Sequence, residues 1–200
     1  MANTANSIEG LIPLLEMEIS QSQTVYIIRG PSGCGKTTFA KESKADIIAE
    51  ETSLFPNAPY LTPEILSADD FFTTKDGEYK FDQRFLSRAH TETISSAMAA
   101  LKMGRDVIIA NTFTNYWEVS PYLWMAQLAG ADCIVYEPDI LLENKDGIWD
   151  MKQMLILEEM HKRCTHGVPM ETIENHMMNF HHLEGSKLVS KVKQFNTGLL

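Results

Sequence analysis

Short, almost unbroken apolar runs alternate along the chain with longer stretches in which apolar residues recur every three or four positions. The runs at 24–29 (holding Val25-Tyr26-Ile27-Ile28), 65–67, 107–110 and 132–136 are too short for helices and lack polar alternation, so they predict buried strands. Helices are predicted at 36–50, 82–103, 117–128, 150–163 and 171–180. In the second of these Ile94, Ala97, Met98 and Leu101 keep helical spacing and Gly104 supplies the stop. Residues 7–20 read as a short amphipathic helix interrupted near Pro13, and 54–63, with Pro56, Pro59 and Pro63, as a loop. Apolar strands alternating with helices imply an α/β fold, a parallel sheet with helices on both faces. Ligands of such sheets sit at the carboxyl ends of the strands, which selects the loops to inspect.

The 200 residues hold 44% hydrophobic and 22% charged positions, as a folded chain does. Acidic residues outnumber basic ones 27 to 17, a net charge of −10, which argues against a protein that coats nucleic acid. A local basic cleft for one phosphate-rich end remains compatible with that charge. No apolar run approaches bilayer length, and the N-terminus lacks a secretory pattern. Cys34, Cys133 and Cys164 are scattered rather than framework-like, so a cytoplasmic location without membrane association is expected. His161, Cys164 and His166, and likewise His176, His181 and His182, cluster in sequence, but without a C-x-x-C pair they do not read as a zinc site.

Immediately after the first strand stands Gly30-Pro31-Ser32-Gly33-Cys34-Gly35-Lys36-Thr37, which matches G-x-x-x-x-G-K-[ST] at every defined position. Glycines let backbone N–H groups turn inward around phosphate oxygens, and the helix that follows adds the positive end of its dipole. Gly30, Ser32, Gly33, Cys34, Gly35, Lys36, Thr37 and Thr38 are therefore the expected nucleotide-binding residues. Lys36 would reach the β- and γ-phosphates and the Thr37 hydroxyl would ligate magnesium, so ATP and Mg²⁺ are the expected cofactors.

Beyond that loop, residues 25 to 180 resemble the polynucleotide 5′-hydroxyl kinase family of P-loop kinases and its ATP-binding AAA-like and zeta-toxin-like relatives. The resemblance runs through Ser67-Ala68-Asp69-Asp70-Phe71-Phe72, Gly77-Glu78-Tyr79-Lys80-Phe81, Ala89-His90, Val107-Ile108-Ile109-Ala110-Asn111-Thr112, Lys162-Arg163 and His166-Gly167-Val168-Pro169. It implies a P-loop NTPase fold of the kinase type with a helical lid. The implied organisation is an N-terminal helical extension (1–22), a kinase domain (23–185) with its lid at about 150–182, and a C-terminal tail (186–200). It also implies catalytic roles for Lys36, for Asp69 as the acceptor of the attacking hydroxyl's proton, and for Arg163 as a lid arginine on the transferred phosphoryl group. The bland uses are a helix cap for Asp69 or Asp70 and a solvated charge for Arg163. The implied activity is transfer of the ATP γ-phosphate to the 5′-hydroxyl of a polynucleotide.

Two departures bear on the acceptor and the metal. Kinases of this kind carry an aspartate near the end of the third strand, whereas this chain reads Ala110-Asn111 there and places Asp106 at the opposite end. Asn111 offers a neutral oxygen instead. Polynucleotide kinases also carry an arginine soon after the paired acids, where this chain has Phe71 and Phe72, read chiefly as core. Arg84 and Arg88 share a helix face and would either hold an acceptor phosphate or pair with Asp82 and Glu92. The alternatives are a kinase of a nucleoside, nucleotide or other small hydroxyl compound, or a catalytically weak ATP-binding switch.

Overall fold

Thr24–Arg29 forms β1, the central strand of a five-stranded sheet in the computed structural model, which describes residues 22–54, 56, 61–138 and 151–189. The helix expected at 7–20 and most of the tail beyond 186 lie outside the described residues. In chain order the other elements are α1 (Lys36–Leu54), β2 (Glu64–Leu66), 3₁₀ turns at Ala68–Phe72 and Gln83–Phe85, and α2 (Leu86–Lys102). Then come β3 (Val107–Asn111), α3 (Tyr116–Ala129), β4 (Asp132–Pro138), α4 (Met151–Arg163), α5 (Met170–Met178) and β5 (Lys187–Val189).

The sheet order is β2-β3-β1-β4-β5, and every pair is parallel. Alternate residues of β1 and β3 point to opposite faces. Val25, Ile27, Val107 and Ile109 pack on α2 and α3, through Ala97, Leu101, Val119, Tyr122 and Met125. Ile28, Ile108 and Ala110 pack on α1 through Ala40, with Phe39 and Ile47 beside it. Both faces are therefore covered, which is why these strands carry no polar alternation. The expected α/β architecture with helices on both faces is the observed one.

Two local features differ from the pattern reading, and one agrees with it at a cost. The helix expected from 82 begins instead as a 3₁₀ turn, because Asp82 Oδ1 accepts from the Arg84 amide at 3.0 Å and Phe85 leaves helical geometry (ψ 2°) before α2 starts. Lys187–Val189, placed in a tail by the sequence, pairs with Tyr136–Pro138 as a fifth strand. Pro121 lies inside α3, where it has no N–H for the carbonyl of Trp117; the Ser120 hydroxyl donates to that carbonyl at 3.1 Å instead.

Candidate active site

The register of the sheet aligns Arg29, the last residue of β1, with Asn111, the last of β3. The turn after Arg29 therefore opens at the carboxyl edge of the sheet, where a cavity of about 1300 Å³ lies. Ser32, Gly33, Cys34, Gly35, Lys36, Thr37 and Thr38 form one part of its wall, and Asp69 and Arg163 another. Ser32 and Arg163, 131 positions apart in sequence, thus share one space.

The turn has the geometry a phosphate cradle requires. Gly33 and Gly35 adopt φ of +80° and +96°, a region that side chains disfavour. The first bond of α1 runs from the Phe39 amide to the Gly35 carbonyl, so the amides of Lys36, Thr37 and Thr38 precede it and point out of the helix start. Lys36 Nζ donates to the carbonyls of Gly30 and Pro31, each at 2.9 Å, which keeps the ammonium across the mouth of the turn. Gly30 itself stands behind the cradle. Its amide donates to Thr112 O at 3.0 Å and its Cα faces Cys34 Sγ and Pro138, so it shapes the turn while its own N–H is held by the segment leaving β3. Burial pushes the Cys34 thiol upward despite the nearby Lys36, so this cysteine is a packed neutral group.

Cys34 and Gly33 are where α4 and α5 meet the turn. Cys34 shares an apolar cluster with Ile156, Leu157 and Met160 of α4 and Ile173 of α5. A methyl group on Gly33 would run into the carbonyl oxygen of Met160. Gly33→Ala is therefore expected to combine backbone strain with displacement of α4, lowering stability by about 2 kcal/mol. Thermal unfolding measures this, and an unchanged midpoint would show that α4 does not rest on the turn.

The two acids after β2 separate into different tasks. The Asp70 carboxylate accepts from the Ser67 amide at 2.9 Å and closes a capping box on the 3₁₀ turn, and burial raises its pKa. Asp69 faces the cavity, where the Tyr79 hydroxyl donates to its Oδ1 at 2.8 Å. Asn111 holds the same turn from the sheet: its Oδ1 accepts from Ser67 Oγ at 3.1 Å and from the Ala68 amide at 2.9 Å. Both lone pairs of that oxygen are thus engaged, so Asn111 does not offer the metal ligand expected of it. Phe72 is buried with Ala68 and Ala89, and Phe71 packs on it edge to face, as the core reading expected. Arg84 and Arg88 pair with Asp82 (2.6 Å) and Glu92 (2.9 Å) at the surface.

Arg163 pairs with Glu159 one turn back on α4 at 2.8 Å while lining the cavity. His176 of α5 also lines it; burial and the charge of Lys36 hold its imidazole toward the neutral form. Among the described residues no three or more His, Cys, Asp or Glu side chains converge on a point that could hold a metal ion.

Behind the site lies a polar core that the strand pattern did not reveal. Arg29, with no exposed surface, donates from NH1 to Glu137 Oε1 and to His181 O, from Nε to Phe113 O and from NH2 to Thr114 O, all at 2.7–2.8 Å. Its guanidinium also lies 4.3 Å from the centre of the Phe180 ring. Glu137, equally buried, accepts from the Leu183 amide and bonds His182 Nδ1. The residue before the phosphate turn is thereby tied to the segment that leaves α5. A charged residue ending each of two apolar strands was the available signal, but nothing local pairs positions 108 apart.

The AAA domain family matches residues 25–142. NEDD4-binding protein 2 of Homo sapiens is 29% identical over 150 residues, 74% of this chain but 7% of that protein, so the chain spans a small fraction of its curated relative. The crystal structure of APE1195 aligns with 90% of this chain and 93% of its own at a TM-score of 0.53 and 18% identity. Kti12 of Chaetomium thermophilum, in complex with ADP-AlF3, aligns over 85% and 94% at 0.52 and 13%. The Pnkp1/Rnl/Hen1 RNA repair complex contains a chain similar over 79% of this one and 44% of itself, at 0.50 and 19%. These structural likenesses establish the fold, that of P-loop kinases.

Proposed function

Because the chain belongs to the AAA domain family, with a P-loop kinase fold and an intact phosphate turn, we propose that it transfers the γ-phosphate of ATP to the 5′-hydroxyl of a polynucleotide. The observation that carries this reading is the convergence of the turn, Asp69 and Arg163 on one cavity. The amides at the start of α1 and the Lys36 ammonium bind the phosphate tail, and Lys36 neutralises charge on the β- and γ-phosphates. The Asp69 carboxylate orients the acceptor hydroxyl and takes its proton as oxygen attacks the γ-phosphorus and the bond to the β–γ bridging oxygen breaks, releasing ADP. Arg163, whose planar fork matches phosphate oxygens, exchanges Glu159 for those of the transferring phosphoryl group. The Thr37 hydroxyl fits a magnesium ion, whose remaining ligands would be nucleotide oxygens and water.

A small-molecule hydroxyl acceptor is the second reading. It is favoured by the net charge of −10 and by the absence of an arginine beside Asp70, where Phe71 and Phe72 pack instead. Incubation with γ-labelled ATP, a 5′-hydroxyl oligonucleotide and a panel of nucleosides and sugars separates the two. Label is expected on the oligonucleotide, and Asp69→Asn is expected to lower that transfer roughly 10²-fold. Oligonucleotides of every length and sugar type remaining unlabelled would reject the polynucleotide assignment.

A further inference from the structure

Tyr79 touches both the carboxylate that receives the proton and the loop between the lid helices. It stands on a hairpin in which Thr73 bridges Tyr79 and Gly77 turns at φ +82°. Its hydroxyl donates to Asp69 Oδ1 at 2.8 Å. Its ring lies on that of His166, centroids 4.0 Å apart and planes 32° apart, and meets buried Phe72 at 6.3 Å. Burial, then the charge of Asp69, pushes the phenol well above the usual tyrosine value, so it remains a hydrogen-bond donor and does not compete for the acceptor's proton.

We propose that Tyr79 is a positioning residue that aims Asp69 and makes that aim depend on the lid loop being seated. A carboxylate held at Oδ1 loses its freedom to rotate, and Oδ2 is thereby presented to the acceptor hydroxyl. The hydroxyl in turn is placed by a ring that lies on His166 and meets Phe72 edge to face. Lifting the 164–169 loop removes the His166 contact and frees the ring, and with it the carboxylate. The sheet side of the carboxylate's turn is already fixed by Asn111, so the coupling runs to the lid through the ring. This inference rests on Asp69 being the base.

The test is a cycle of full-length variants, Tyr79→Phe, His166→Ala, their double and each with Asp69→Asn, assayed with γ-labelled ATP and a 5′-hydroxyl oligonucleotide. Tyr79→Phe keeps the ring and removes one hydrogen bond to a charged group, so kcat should fall about tenfold while KM for ATP and the thermal midpoint stay unchanged. His166→Ala should also lower kcat, and the double variant should fall by less than the product of the two, because both act on one carboxylate. In the Asp69→Asn background neither change should add to the loss. Wild-type kcat in Tyr79→Phe, independent losses in the double, or further losses in Asp69→Asn would overturn the role of Tyr79. Wild-type rates in Asp69→Asn, or no transfer by the wild-type chain, would instead overturn the base assignment and this inference with it.

Discussion

Arg29→Met is expected to destabilise the protein by about 3–5 kcal/mol, lowering its thermal midpoint by about 10 °C. Methionine fills much of the space but leaves Glu137 charged and fully buried, facing only the Leu183 amide and His182. The carbonyls of Phe113 and His181 lose a donor at the same time, and that of Thr114 keeps only the His181 amide, at 2.9 Å. Breaking one side of a buried pair costs more than the pair contributes, because the remaining charge cannot be hydrated. Arg29→Met/Glu137→Leu should therefore recover part of the loss, with the orphaned carbonyls accounting for the remainder. Thermal unfolding of the three proteins measures this. A midpoint unchanged in Arg29→Met would mean that the guanidinium is not enclosed as described.

Lys36→Ala is expected to lower phosphoryl transfer by roughly 10³-fold and to weaken ATP binding with it. The ammonium bridges the carbonyls of Gly30 and Pro31 and leaves no other cation on the turn itself. Its removal deletes a charge placed for the β- and γ-phosphates without altering the glycine geometry that shapes the cradle. The fold should be retained, since Lys36 lies on the first turn of α1 and belongs to none of the apolar clusters. Steady-state transfer and calorimetric binding check the two parts separately. Binding lost together with the unfolding transition would point to a structural role instead.

What the sequence made legible was whatever is written in consecutive residues. β1 and β3 are apolar on both faces because helices cover both, and the phosphate turn is a contiguous motif in its required setting. Asp69 was legible through the resemblance, which located the carboxylate but not its partner. Tyr79 lay within the 77–81 stretch of that resemblance, yet the role we propose for it depends on a hairpin that returns it to Asp69 and on His166, 87 positions away. Asn111 read as a neutral metal ligand because its position at a strand end was visible and its two donors, Ser67 and Ala68, were not. Gly30 fits the motif as a phosphate residue, but its amide is taken by Thr112 from the neighbouring strand's exit. The three residues of β5 are too few to carry a period, and only the edge of β4 defines them as a strand.

The central claim, that the turn after β1 grips the phosphate tail of ATP, is tested most directly by thermal unfolding with magnesium and increasing ATP, ADP or AMP. The midpoint should rise with ATP concentration, by an amount equivalent to about 2.7 kcal/mol at a hundred times the dissociation constant. ADP should act more weakly, AMP least, and Lys36→Ala should respond little to any of them. A wild-type midpoint indifferent to ATP, or one raised equally by AMP, would contradict the account.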